Sequence, residues 1–307
     1  MSEQDYEYFT DINTGREMAI ETATGSVIDT VNITAPIGTR FYTPAQQRAY
    51  IENREIEANR QLQRLSQKEL PFGYYYFISS DEQFKDLTPE TVTRLIYLNT
   101  FALKYNNRQL MLTERTPMKR KDLIKVLGVS KATTHRFWKE VSPAYLTEDC
   151  NGVLLTNNNI FIKGKIKKGV EDNPYLKIYI NGVRKLYRST DTSNHKHLGY
   201  IFKLLPFINI EYNVLCFNPL EKDIESIEPL SLSNFCDLIG YNNTNLHRLL
   251  YIYRKLYFDV NNRKERFCSF VYNGVDKNNS MICINPHILY SGSNYKNVEA
   301  LGLFYKE

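Results

Sequence analysis

The sequence predicts an α+β fold that is mainly α and built from two similar halves. Residues 118–141 show two helical segments joined by a glycine turn, and residues 152–164 show the pattern of a β-hairpin. Both patterns recur later in the chain in the same order. A helix-turn-helix followed by a hairpin is the arrangement of a winged helix. We therefore expect two tandem winged helix-turn-helix domains, preceded by an N-terminal arm and a helix.

Residues 1–70 form the first predicted domain, an acidic extended arm plus a charged helix. Residues 1–43 are polar and acidic with only short β-branched pieces, which is typical of an extended arm that could include one hairpin. Pro44 then takes the first position of a helical run that continues to Leu65 and alternates in charge. Few of its positions are apolar, so this helix could pair with a second copy of the chain, and a homodimer is one open alternative.

The second predicted domain, residues 71–170, is the first winged helix. It begins with a punctuated aromatic strand, followed by a buried helix that starts near Pro89. The aromatic run could stack unpaired bases, but successive tyrosines alternate between the two faces of a strand, which favours a buried strand. Residues 152–164 would then form the hairpin of the wing.

The turn of the helix-turn-helix has residues suited to each of its positions. Gly128 can adopt the left-handed backbone conformation of the turn, and Ser130 is a favourable N-cap for the second helix, residues 131–141. Phe137 and Trp138 would anchor that helix, which leaves its remaining side chains to face outward.

The third predicted domain, residues 171–307, is a second copy of the winged helix. A shift of 112 residues aligns Gly128 with Gly240, and a shift of 128 residues aligns the end of the first hairpin with residues 282–292. The 16 extra residues in between would fit a longer helix, residues 246–259, and a longer loop. Two elements that match in the same order favour duplication over chance.

Charge is distributed unevenly along the chain. The formal net charge is +5, from 39 Lys and Arg against 34 Asp and Glu, but residues 1–70 carry −4, residues 71–170 carry +7 and residues 171–307 carry +2. Clustered basic residues beside acidic or neutral segments indicate binding to a polyanion. A solvated helix face is the alternative explanation for such a cluster.

Double-stranded DNA is the partner that this pattern favours, because the second helix of a helix-turn-helix enters the major groove. The candidate contacts of the first copy lie before the motif, on its second helix and on the wing: Lys119, Arg120, Lys121, Ser130, Lys131, Thr133, Thr134, Arg136, Lys139, Lys163 and Lys165. The second copy offers fewer charges and more hydrogen-bonding groups: Asn243, Thr244, Asn245, His247 and Arg248. Because a weakly charged winged helix is often a protein-binding module, its partner stays open between DNA and protein.

The residues favour a non-enzymatic protein with no cofactor and no metal. The one His-x-His pattern, His195 and His197, has a lysine at its centre and lies in a polar stretch, which is not the apolar metal-binding strand of a nicking enzyme. No phosphate-binding glycine loop with its lysine occurs. The five cysteines are scattered and odd in number, so we expect reduced core thiols. No stretch is apolar enough to span a membrane, and we expect a soluble, cytoplasmic protein.

The chain resembles the winged-helix replication initiators of plasmids and phages of low-GC bacteria, and more loosely phage-encoded regulators. The residues that carry the resemblance are 121–130 and 157–164 in the first copy and 232–240 and 285–292 in the second. It extends over roughly two-thirds of the chain and leaves out the acidic arm. The resemblance implies a sequence-specific double-stranded DNA-binding protein that acts in replication initiation or transcription regulation. The alternative is a protein–protein interaction module built on winged helices with little DNA contact.

Overall fold

The structure is a computed structural model in which two compact units, residues 1–52 and 53–307, can be separated. It describes residues 6–12, 15, 17–21, 24–29, 48–51, 54, 73–78, 83–103, 108–164, 175–260, 263–272, 280–292, 298 and 304. Throughout these residues the chain is a mixed α/β protein of helices and small antiparallel sheets. No helix among them has the length and the apolar character that a membrane crossing requires.

The first unit contains a three-stranded antiparallel sheet with the order β1-β2-β3. Its strands are β1 (Tyr6–Thr10), β2 (Glu17–Glu21) and β3 (Val27–Asp29). The predicted arm therefore folds back twice, where the sequence suggested one hairpin at most. Of the predicted helix over residues 43–65, residues 48–51 and 54 are helical, and the others lie outside the described residues.

The second unit begins with a strand, a buried helix and two further helices joined by a glycine turn, which we call the first helix pair. A 3-10 turn (Arg120–Asp122) leads directly into the first helix of this pair. The elements up to residue 164 are β4 (Tyr74–Ile78), α1 (Pro89–Asn99), α2 (Leu123–Leu127), α3 (Lys131–Val141), β5 (Leu146–Glu148), β6 (Leu154–Thr156) and β7 (Phe161–Ile162). The predicted buried aromatic strand is observed as β4, in which Tyr75 and Phe77 belong to the core.

The rest of the second unit repeats this order with additions. The elements are β8 (Tyr175–Tyr179), α4 (Ile180–Ser189), α5 (His195–Lys203), α6 (Leu232–Ile239), α7 (Leu246–Tyr253), β9 (Tyr257–Val260), β10 (Arg263–Arg266), β11 (Cys268–Tyr272) and β12 (Ser280–Ile284). The predicted helix over residues 246–259 is therefore too long. The observed helix ends at Tyr253. The residues that follow, Tyr257–Val260, bury alternate side chains as a strand does, and they pair with β10.

The predicted hairpin over residues 152–164 is also wrong in its pairing. β6 pairs with β5 through a turn at Asp149, whereas β7 pairs with β4. The chain turns between β6 and β7 because the backbone carbonyl of Asn157 accepts from the N–H of Phe161, at 2.9 Å. Phe161 is thereby directed into the core instead of back along β6.

The two halves share a pattern of backbone hydrogen bonds. Each has a residue, Leu110 or Leu215, whose N–H donates to a later strand, β6 or β12, and whose carbonyl accepts from the segment before the helix pair. Each also has an asparagine, Asn157 or Asn285, whose side-chain oxygen accepts from the N–H two residues later. The equivalent bonds, written from the N–H donor to the carbonyl acceptor, are Leu110 to Leu154 and Leu215 to Ile282, Thr156 to Arg108 and Ile284 to Asn213, and Met118 to Leu110 and Leu230 to Leu215.

The two halves are joined by a sheet with the order β7-β4-β8. The register of β4 and β8 is centred on the pair Tyr76 and Lys177, with Tyr74 opposite Tyr179 and Ile78 opposite Tyr175. The N–H of Ile78 in β4 donates to the carbonyl of residue 160, and the N–H of Tyr179 in β8 donates to the carbonyl of the equivalent residue 288. The paired strands β4 and β8 are therefore equivalent, and a local two-fold axis passes between them. The equivalent helices α1 and α5 also pack on each other.

One apolar core runs through both halves of this unit. It includes Leu95 and Phe137 from the first half and Ile201 and Phe235 from the second. These side chains belong to one cluster of buried residues, and the predicted domain boundary between residues 170 and 171 lies outside the described residues.

Two histidines at the start of α5 are buried in this core. Nε2 of His195 lies 3.1 Å from the carbonyl of Thr190, whereas Nδ1 of His195 and of His197 has no hydrogen-bond partner among the described residues. Burial, followed by the positive charge of Lys196, lowers the pKa of His197 from 6.5 to about 4. Burial also lowers the pKa of His195. Both rings are therefore neutral in the folded protein at neutral pH.

We expect the free energy of unfolding to fall as the pH drops from about 6.5 towards about 4, since the unfolded chain binds protons there that the folded core does not accept. The variant His197→Phe keeps a ring beside Tyr200 and Tyr253 but cannot titrate. It should lose less stability than the wild type over this interval, as measured by urea denaturation. Equal losses in the two proteins would show that His197 is not a source of the acid sensitivity.

Candidate functional site

The turn of the first helix pair has the glycine and the cap that the sequence indicates. Gly128 has a φ of 64° in the left-handed region, and its N–H donates to the carbonyl of Ile124, which ends α2. Ser130 then caps α3, because its Oγ accepts from the N–H of Thr133 at 3.2 Å. A side chain at residue 128 would be strained by this backbone conformation, so glycine is required here.

Helix α3 divides into a buried and an exposed face. Thr134, Phe137, Trp138 and Val141 are buried. Thr134 is therefore not available as a DNA contact, contrary to the sequence prediction, and its hydroxyl donates to the carbonyl of Ser130 at 3.0 Å. Thr133 is half-buried, and Ser130, Lys131, Ala132, His135, Arg136 and Lys139 are exposed.

Three further cations lie just before α2, and one of them stacks on a tryptophan of α3. Lys119, Arg120 and Lys121 are exposed, and the guanidinium of Arg120 lies 4.9 Å from the ring centroid of Trp138. This cation–π contact links the segment before α2 to α3, so the cations of the segment and of the helix lie close to each other. Within the described residues these three cations form no ion pair with a carboxylate.

The acidic residue of α3 is engaged away from these cations. Oε2 of Glu140 accepts from the N–H of Thr88 at 3.0 Å and from its hydroxyl at 2.9 Å. These bonds hold the end of α3 against the start of α1. The exposed surface of α3 thus presents cations without a compensating carboxylate of its own.

The hairpin beside this motif does not carry the predicted cations. Asp149 forms its turn by accepting from the N–H groups of Asn151 and Val153, each at 2.8 Å, and Glu148 is exposed next to it. Lys163 follows β7 on the central sheet and is half-buried, so it is not at the tip of the β5–β6 hairpin. Lys165 lies outside the described residues.

The second helix pair, α6 and α7, repeats the turn with different surface chemistry. Gly240 has a φ of 66°, and Asn242 takes the place of Ser130, with Oδ1 accepting from the N–H of Thr244 at 2.9 Å. Helix α7 starts only at Leu246, after a 3-10 turn. The five residues predicted to contact DNA are all exposed: Asn243, Thr244, Asn245, His247 and Arg248.

The sequence reasoning missed several exposed groups beside α7. Tyr251 lies on the outer face of α7, with Nζ of Lys255 4.1 Å from its ring centroid. Arg263 and Lys264 are exposed on the added β9–β10 hairpin. The segment Arg263–Arg266 is charged throughout and lacks the apolar alternation that predicts a strand, so the sequence indicated only a loop there.

The residues that the structure describes gather no group of three or more metal-ligating side chains, and most of their cysteines are buried. Cys216, Cys236, Cys268 and Cys283 are buried, and burial raises the pKa of the Cys216 thiol to about 11. Cys150 is exposed, so the prediction that every cysteine is a core thiol was wrong for that residue.

Comparisons with protein-family models, with curated proteins and with solved structures gave no match to this chain.

Replacing Ser130 by alanine should lower the free energy of unfolding by about 1 kcal/mol, since the first turn of α3 loses its capping acceptor. Urea denaturation near neutral pH measures the change. Ser193→Ala, in an exposed 3-10 turn, is the matched control and should leave stability unchanged. A Ser130→Ala protein as stable as this control would show that the cap contributes nothing.

Proposed function

We propose that the protein is a sequence-specific double-stranded DNA-binding protein with two winged helices, which acts in replication initiation or transcription regulation of a phage or plasmid. The observation that carries the proposal is the row of exposed cations that runs from Lys119 to Lys139 along one helix-turn-helix, and these cations form no ion pair with any residue that the structure describes. The resemblance of residues 121–130 and 157–164 to winged-helix replication initiators supports the same function.

The dimensions of α3 suit the major groove of B-DNA. Its 11 residues give a helix about 16 Å long, and the groove is about 12 Å wide, enough to admit an α-helix. Lys131, Ala132, His135, Arg136 and Lys139 would face the DNA, since the opposite face is buried. Arg136 is suited to pair with guanine and Ala132 to contact a thymine methyl group.

The cations before α2 would bind the phosphate backbone. Lys119, Arg120 and Lys121 begin the first helix of the motif, which crosses the backbone in this binding mode. Arg120 keeps its position through Trp138, so α3 and a phosphate-binding group would be placed together. Phosphate contacts of this kind set the orientation of the protein, and base contacts set its specificity.

The second half would contact a different part of the site. Because the two halves are equivalent strand for strand at the β4–β8 junction, the proposed DNA site would have two unequal halves. Asn243 and Asn245 can read adenine, and Arg263 and Lys264 add charge beside α7. The sparse charge on α7 itself favours a second candidate function for this half, in which it binds protein instead.

Neutralising four cations together, as Arg120→Gln, Lys121→Gln, Lys131→Gln and Arg136→Gln, should abolish tight duplex binding. It should also reduce the steepness of the logarithmic salt dependence by about 3 to 4, since each phosphate contact contributes about 0.9. Fluorescence anisotropy with labelled duplex at several salt concentrations measures both quantities.

A variant with Lys85, Arg108, Arg188 and Lys222 changed to Gln is the matched control, since all four are exposed and lie outside the proposed surface. It should keep most of the affinity. If the two quadruple variants bound duplex equally well, the cations of the helix-turn-helix would not form the binding surface, and the proposal would fail.

Changing Asn243 and Asn245 to alanine should relax sequence preference more than it lowers total affinity, because amides read bases and do not neutralise phosphates. Selection of bound fragments from random DNA, by wild type and variant, measures the preference. A uniform loss across all sequences would contradict base reading by the second half. The selected site also separates the two roles, with direct repeats expected for an origin and a lone palindrome for an operator.

A further inference from the structure

The second half has an enlarged loop where the first half has a short one. In both halves two short segments pair before the helix-turn-helix, through Met111 with Pro117 and through Cys216 with Pro229. Residues 112–116 connect the first pair, and residues 217–228 connect the second. We call residues 217–228 the acidic-apolar loop. The pairing that it connects is the same in both halves, so the added residues are not needed to build that pairing.

Hydrogen bonds give this loop a defined shape. The N–H of Phe217 donates to the carbonyl of Glu228 and the N–H of Glu228 to Oδ1 of Asn218, each at 2.9 Å. Nδ2 of Asn218 donates in turn to the carbonyl of Ser226 at 2.8 Å. The buried Asn209 holds the loop to the body of the unit through the carbonyl of Glu221, also at 2.8 Å. These bonds fix the backbone of the loop in one arrangement.

The loop nevertheless exposes large apolar side chains. Phe217, Leu220 and Ile224 are exposed by 48%, 56% and 51%. Phe217 and Leu220 form one wall of a groove of about 290 Å³, whose other side includes Tyr175, Phe207 and Ile210. Pockets that enclose drug-sized molecules measure roughly 300–1,000 Å³, so this groove suits apolar side chains of a larger partner better than a whole small molecule. Contiguous exposed apolar surface of this kind marks interaction sites.

The charges around the apolar surface are acidic. Glu221, Asp223, Glu225 and Glu228 belong to the loop, and all but the half-buried Glu221 are exposed; Lys222 is its one cation. An anionic surface repels nucleic acid and attracts a basic partner. The loop therefore has the opposite electrostatic character to the exposed face of α3.

We propose that the acidic-apolar loop and its groove bind a basic segment of a partner protein. One or two apolar side chains of that segment would insert between Phe217 and Phe207, and its Lys or Arg side chains would pair with Asp223 and Glu225. The apolar anchors supply affinity, and the rim charges supply orientation and speed of association. This proposal does not depend on DNA binding, since the loop and the proposed DNA surface share no residue.

Selection from a library of short random peptides on the immobilised full-length chain tests the proposal. We expect the recovered peptides to combine basic and apolar residues and to bind more weakly as salt is raised. The double variant Phe217→Ser and Leu220→Ser should bind them at least about tenfold more weakly, because it removes one wall of the groove. Ile124→Ser, an exposed apolar residue of the first half, is the matched control and should bind as the wild type does.

A second variant, Asp223→Lys with Glu225→Lys, keeps the apolar groove and should also weaken binding by about tenfold, with the salt effect reduced or reversed. Urea denaturation confirms that each variant is folded. The proposal is overturned if no peptides are recovered, if the recovered peptides are acidic, or if they bind both variants as tightly as the wild type. It is also overturned if the wild type is a dimer that the Phe217→Ser and Leu220→Ser variant converts to a monomer, because the occupant would then be a second copy.

Discussion

The close packing of two equivalent helices is the constraint on which the rest of the second unit depends. Gly199 of α5 lies against the backbone of Pro89 at the start of α1, where a Cβ atom would come within 1.8 Å of the Pro89 carbonyl oxygen. No side chain fits that space without moving a backbone. The approach brings the buried faces of α1 and α5 into one core, and the symmetric pairing of β4 with β8 completes the junction.

The two halves match at this junction and differ in the elements added around it. Their hydrogen-bonded frameworks match around Leu110 and Leu215, and the differences lie outside those frameworks. The second half gains the acidic-apolar loop, residues 217–228, on the surface. It also gains α4 and the β9–β10 hairpin, which place Val183, Leu186 and Phe258 in the shared core. Surface loops accept insertions at small cost in free energy, whereas a change at the junction would disturb both halves at once.

The surface charges follow the same division. The first half presents cations on α3 and on the 3-10 turn before α2, and the second half presents carboxylates on its acidic-apolar loop. Two surfaces of opposite charge on one rigid core can engage two different partners without competing for the same residues. The proposed DNA surface and the proposed peptide-binding surface are therefore compatible in one molecule.

The sequence by itself determined the local features. Gly128 and Ser130 predicted the turn and the cap because both act on the adjacent backbone, and residue spacing located α1, α2 and α3 because a buried face must recur with the helical period. Only the tertiary structure decided which strands pair, that Thr134 is buried, that the extra residues of the second half form a hairpin, and that Phe217 and Leu220 remain exposed. These outcomes depend on contacts between residues far apart in the chain, above all across the β4–β8 junction, and local periodicity carries no information about such contacts.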